Sequence, residues 1–148
     1  MNDFPRFTQL TTALAAVLAL AELPADEPGI CRLTIDGQIT VHLFSADDHD
    51  LLLAARIGRL AADAPPALLW RLLQANQMDA PEQPFQLSLD QAGELLAWAR
   101  WPIGLEQAER IADLAFALAE LVVRWRGLLA EPEVEEGRET APAGLALV

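Results

Sequence analysis

PPALLWRLLQAN, residues 65–76, is a short apolar helix whose excess hydrophobicity decides how the rest of the chain is read. Two prolines stand where a first helical turn tolerates them, Asp63 is available as an N-cap, and Asn76 suits a left-handed C-cap. Leu68, Leu69, Leu72 and Leu73 recur at helical spacing and make one broad face, with Trp70 and Arg71 pointing elsewhere. A helix of this length is marginal alone in water, so its apolar faces need cover. Strand-like segments lie on both sides, so it bridges two halves of a sheet. Its surplus apolar surface is expected to go partly into the core and partly against a second copy of the chain.

Upstream, residues 3–22 read as a first helix, with Phe7, Leu10, Leu14, Val17, Leu18 and Ala21 on one stripe and Pro24 ending it. The period then changes to two. Cys31, Leu33 and Ile35 alternate with polar residues, and Ile39, Val41 and Leu43 do so again after Asp36-Gly37. A two-residue Asp-Gly loop would set Leu33 against Thr40. A three-residue loop over 35–37 pairs Leu33 with Ile39 and Cys31 with Val41, and puts Gly37 at a left-handed position; that is the expected register. Residues 45–50 form a polar loop, and 51–57 a third strand whose three consecutive leucines require cover on both faces.

Downstream, 77–83 is a proline-punctuated connector. Phe85, Leu87 and Leu89 mark a fourth strand, and 94–101 a fifth, with Leu95, Ala97, Ala99 and Trp101 on one side and Leu96, Trp98 and Arg100 on the other. The last helix, 105–129, holds Ile111, Leu114, Ala115, Leu118, Leu121, Val122, Trp125 and Leu129 on one stripe. Glu106 and Glu109 near its start and Arg124 and Arg126 near its end match the helix dipole. The expected fold is α+β: a twisted antiparallel sheet of about five strands flanked by three helices, in the order α-β-β-β-α-β-β-α, as a homodimer. Residues 1–129 make one domain. Residues 130–148 are an acidic tail of disordered composition, whose apolar end LALV is unexplained.

Composition excludes several functions. The chain has 148 residues with 22 acidic and 10 basic side chains, a formal charge of −12, and every base is arginine. That balance disfavours nucleic acid and anionic membrane as partners. The single cysteine, Cys31, makes no internal disulfide, which fits a reducing cytoplasm, and its alternation with apolar neighbours makes it a core residue. The segment LTTALAAVLALA at 10–21 has the length of a signal-peptide core. It lacks a positive leader, because Asp3 and Arg6 cancel, and it is read as an amphipathic helix. No run is long enough to cross a membrane.

No catalytic residue is assigned. The single glycines Gly93, Gly104 and Gly127 make no phosphate loop, and no nucleophile stands with a base. His42 with Asp47, Asp48, His49 and Asp50 is the only grouping of metal-ligand types, and it reads as a solvated turn; no metal and no cofactor is expected. Trp125 falls on the core stripe. Trp70 falls off the leucine face and Trp98 off the alanine face, so both suit an interface. Leu69, Trp70, Leu73 and Trp98 are therefore the candidate dimer contacts. Phe4, Phe7, Leu10 and Leu14 are the candidate partner-binding residues, with the two aromatics as groove walls.

The element order, LLWRLLQAN after a strand ending IGRL, FQLSLDQAGELLAWARWPI, and a last helix ending LVVRWRGLL together resemble the class I type III secretion chaperones, the Tir chaperone-like family. The resemblance covers about residues 4–129; the acidic tail and the alanine-rich first helix depart from it. It implies a cytoplasmic homodimer that binds an extended N-terminal segment of a secreted effector and keeps it secretion-competent without nucleotide or metal. Two other readings stay open: a regulatory adaptor of the same fold with a transcription-control partner, and a carrier of an apolar small molecule.

Overall fold

In the computed structural model, residues 4–27, 29–104 and 107–130 are described. In chain order they form α1 (Pro5–Val17), β1 (Ala25–Glu27), β2 (Ile30–Ile35), β3 (Ile39–Phe44), β4 (Asp50–Arg59), α2 (Pro66–Ala75), β5 (Gln86–Leu89), β6 (Glu94–Pro102) and α3 (Ala108–Ala130). The five expected strands are joined by the three-residue β1, which pairs with β2 at the sheet edge. The sheet is antiparallel, in the order β1-β2-β3-β4-β6-β5.

Alternation divides the sheet into two faces. Cys31, Leu33, Val41, Leu43, Leu51, Leu53, Ala55, Leu87, Leu95, Ala97 and Ala99 are all buried and share one face. Against it pack α1, through Phe7, Leu10 and Leu14, and α3, through Ile111, Leu118, Val122 and the fully covered Trp125. The opposite face carries Thr34, Thr40, His42, Phe44, Leu52, Ala54, Leu96, Trp98 and Arg100, none of them fully buried.

The β2–β3 register is Leu33 with Val41 and Cys31 with Leu43, not Ile39 and Val41 as the sequence suggests. The loop does hold three residues, but they are Asp36, Gly37 and Gln38, because Ile35 already pairs with Ile39. Asp36 and Gly37 both have positive φ, 55° and 68°, the signature of a primed turn, and Gln38 N–H closes it on Ile35 O at 3.2 Å. The two registers differ by an even step, so every apolar side chain keeps its face; inside-outside alternation cannot tell them apart.

The first helix stops well short of Pro24. Leu20 N–H bonds Ala15 O at 2.8 Å and Ala19 N–H bonds Ala16 O at 3.1 Å, with Ala19 at φ 59°. This is a Schellman ending built on alanine where glycine is usual, so its sequence carries no stop signal. At the other end of the chain, α3 runs on to Ala130, so Arg124 and Arg126 fall before its last turn. Arg126 instead donates to Ile57 O at 2.8 Å and Arg56 O at 3.0 Å, the carbonyls where the β4–β6 register shifts. Glu106 and residues 131–148 lie outside the described residues.

Candidate interaction surfaces

The apolar residues of α2 do not form one covered face. Ala75 is the only fully buried residue of the helix, and Leu68 and Leu72 are half-buried against the core. Leu69 and Trp70 (48% exposed) turn outward, and Leu73 is 72% exposed. Polar links tether the helix as well. Asn76 is not a left-handed cap: its φ is −92°, and its side chain reaches β5, accepting Leu87 N–H at 2.7 Å and donating to Leu87 O at 2.9 Å. Arg71 stacks over the Trp125 ring at 5.2 Å and pairs with Glu82 at 2.5 Å. The N-cap position is Pro65 with no side-chain bond, so Asp63 does not cap the helix.

Trp98 stands on the open sheet face, half-buried, and its indole Nε1 donates to Ser88 Oγ at 2.6 Å on the neighbouring strand. Around it Phe44, Leu52, Ala54 and Leu96 line a shallow groove of about 520 Å³, rimmed by Arg56 and Arg100. Arg56 pairs with Glu94, and Arg100 lies 3.9 Å from Asp50. All four candidate dimer residues thus retain surface: Leu69, Trp70 and Leu73 on α2, Trp98 on the sheet.

The candidate partner-binding residues on α1 fare differently. Leu10 and Leu14 are wholly enclosed and Phe7 nearly so, because the stripe that reads as amphipathic is the one that packs on α3 and the sheet. Phe4 keeps part of its surface, and its ring edge lies 3.2 Å from where a Cβ at Gly29 would stand; Gly29 is itself at φ 81°. A smaller groove, about 290 Å³, runs between α1 and β2 past Phe7, Thr8, Thr12, Leu23 and Ile30.

The acidic loop before β4 has a structural task that local sequence does not disclose. The α1 N-cap residue, Phe4, offers no side-chain cap. Asp48, over forty residues away, supplies it: its carboxylate accepts Phe7 N–H at 2.8 Å and Arg6 N–H at 3.1 Å. Asp48 adopts φ 63°, and its own N–H bonds Ser45 Oγ. Asp47 accepts the backbone N–H groups of His49 and Asp50, and these donors, the Asp50 one foremost, hold its carboxyl below the usual carboxylate range. Arg6 lies 3.1 Å from His49 Nδ1 and donates to Ile103 O at 2.9 Å. His42 is on the open sheet face, paired with Arg32 and Ala54. Among the described residues no group of three or more His, Cys, Asp or Glu is arranged to hold a metal, and no helix is long and apolar enough to cross a membrane.

The fold has counterparts among known proteins. The model of the Tir chaperone protein (CesT) family matches residues 9–126. None of the curated proteins is a significant match. Among solved structures, a chain from the Yersinia pestis type III secretion chaperone SycH in complex with a stable fragment of YscM2 is 22% identical. The match covers 80% of this chain and 98% of that one, with a TM-score of 0.65. A chain of the heterodimeric ExoU–SpcU complex from the type III secretion system of Pseudomonas aeruginosa is 24% identical over 81% and 97%, with a TM-score of 0.68. A chain of the HopA1–SchA chaperone–effector complex is 22% identical over 82% and 94%, with a TM-score of 0.64. The chain therefore shares its fold with chains of these three complexes.

Proposed function

The chain belongs to the Tir chaperone protein (CesT) family, and from that premise we propose that it is a cytoplasmic homodimeric chaperone for a type III secreted effector. It binds an extended segment near the effector's N-terminus and holds it in a secretion-competent form. The observation that carries this reading is the apolar surface left outside the core: Leu69, Trp70, Leu73 and the Trp98 groove for a second protomer, and Phe4 with the groove between α1 and β2 for the client. Contiguous apolar patches of this kind mark protein contacts. The similar structures point the same way, being a chaperone with a partner fragment and a chaperone–effector complex.

The protomers meet through Leu69, Trp70, Leu73 and Trp98. The client meets the α1 side at Phe4 and the groove beside Thr8, Thr12 and Ile30; Leu10 and Leu14 support that wall from inside. Each buried client side chain contributes roughly 1.5–3 kcal/mol. Ordering a flexible segment costs about 2–5 kcal/mol, so several pockets must act together. Two protomers on one client supply them through effective concentration. The work is binding rather than catalysis, and it uses no cofactor; membership of a chaperone family supports this.

Affinity capture from the native organism under secretion-inducing conditions, followed by protease trimming of what co-purifies, tests the proposal. A protected N-terminal fragment of a type III secreted protein is the expected product. A protected fragment from a non-secreted protein, or no protected polypeptide at all, contradicts it.

A further inference from the structure

Strand β5 lies at an edge of the sheet, paired with β6 on one side and, among the described residues, with no strand on the other. Its side chains alternate: Leu87 is buried on the inner face, while Gln86 and Ser88 turn to the open face that carries Leu96 and Trp98. Two consecutive residues of this strand reach two different elements. Leu87 gives both of its main-chain groups to the Asn76 side chain at the end of α2, the N–H donating to Oδ1 at 2.7 Å and the carbonyl accepting from Nδ2 at 2.9 Å. Ser88 Oγ accepts the Trp98 indole N–H at 2.6 Å.

The second bond fixes a direction. In the β5–β6 register Trp98 stands opposite Gln86 and Leu96 opposite Ser88, so Ser88 is the diagonal neighbour of Trp98. A tryptophan on a strand has more than one rotamer open to it, leaning either way along the strand. A bond to the diagonal neighbour selects the lean toward Leu96. It also answers a later need of the indole. In the free protomer Trp98 is half-buried, and water can serve its N–H. Once another molecule covers the face, water is gone, and an N–H without an acceptor is costly to bury. Ser88 supplies that acceptor in advance.

We propose that Ser88 is a positioning residue of the protomer interface, and that β5 is the strut that makes the interface one unit. Through Leu87 it holds α2, which presents Leu69, Trp70 and Leu73; through Ser88 it holds Trp98. This deepens the homodimer reading and rests on it. The two parts of the contact lie on a helix and on a sheet face, and a single peptide unit ties them together.

Sedimentation of the full chain over a concentration series tests this, with wild type, Ser88→Ala, Ser88→Thr, Trp98→Phe and the double variant Ser88→Ala with Trp98→Phe. Ser88→Ala should raise the dimer dissociation constant about tenfold, because each protomer loses one bond and a two-fold interface counts the loss twice. Ser88→Thr keeps the hydroxyl and should restore the constant to within about threefold of wild type. Phenylalanine has no N–H, so in the Trp98→Phe background Ser88→Ala should change the constant by no more than about twofold. Far-ultraviolet circular dichroism should be the same for all five proteins. Proton–nitrogen correlation NMR tests the strut: the Trp98 indole signal, identified by its loss in Trp98→Phe, should shift or broaden in Asn76→Ala. Equal weakening by Ser88→Ala in both backgrounds would assign the serine to general packing and overturn its positioning role. An indole signal unmoved by Asn76→Ala would show that the two ties act separately and overturn the strut. A wild-type dimer untouched by Ser88→Ala overturns this inference alone, whereas a monomeric wild type overturns the homodimer reading along with it.

Discussion

Helices α3 and α2 each carry several leucines and one tryptophan, yet they are held in opposite ways. Ten residues of α3 are buried, ending in Trp125, and the helix forms one wall of the core. Of α2, only Ala75 is buried, and its place is kept by the Asn76 clamp on Leu87 and by Arg71 between Trp125 and Glu82. Hydrophobic residues on α3 therefore stabilise the protomer, whereas on α2 Leu69, Trp70 and Leu73 stay exposed. Apolar content alone does not say which helix serves which purpose; what packs behind it does.

The contrast is broken most severely on the covered side. Trp125→Ala should cost about 3–5 kcal/mol in chemical denaturation, because it opens a cavity in the core and removes the ring beneath Arg71. Asn76→Ala sharpens the comparison from the other direction. It leaves the core intact but strips both bonds from Leu87, and should cost about 1–3 kcal/mol in the same assay, with hydrogen exchange rising in α2 and β5 ahead of α3.

Helix α1 lies between the two extremes: its apolar stripe is buried, but its ends depend on polar and backbone detail. Asp48→Ala should lower stability by about 0.5–2 kcal/mol by uncapping it from across the chain. Ala19→Gly should raise stability by roughly 0.5–1 kcal/mol, since glycine adopts φ 59° without the Cβ penalty. Thermal unfolding of the two variants beside wild type reads both signs. A destabilised glycine variant would show that Ala19 makes a packing contribution larger than its strain.

The course of these helices explains what was legible beforehand. Element order, the inner face of the sheet and the core stripe of α3 could be read because burial imposes a period on the sequence, and Trp125 announced itself by position alone. The β2–β3 register could not be read, since two pairings keep the same alternation. The end of α1 was hidden because an alanine took a glycine's conformation, and its cap was hidden because Asp48 is remote in sequence. Among the candidate site residues, Trp70 and Trp98 keep surface because they lie off the apolar faces of their elements, whereas Leu69 and Leu73 keep it because the leucine face of α2 turns only Leu68 and Leu72 to the core. Leu10 and Leu14 do not, because a stripe that could wall a groove is chemically the same as one that fills a core. The ties through β5 left no sequence signal: their parts come from α2, β5 and β6, and only folding brings them together.

The central claim is that the outward face of α2 belongs to a protein interface, and the sedimentation of wild type beside Trp70→Glu tests it most directly. Trp70 is half-exposed in the protomer, so its replacement should leave the fold and its circular dichroism unchanged. Truncating an interface anchor costs about 2 kcal/mol or more, and a two-fold interface counts each change twice. Wild type is expected to sediment as a dimer, and Trp70→Glu as a folded monomer or as aggregate. A natively folded, monomeric wild type, or a variant that stays fully dimeric, would contradict the claim.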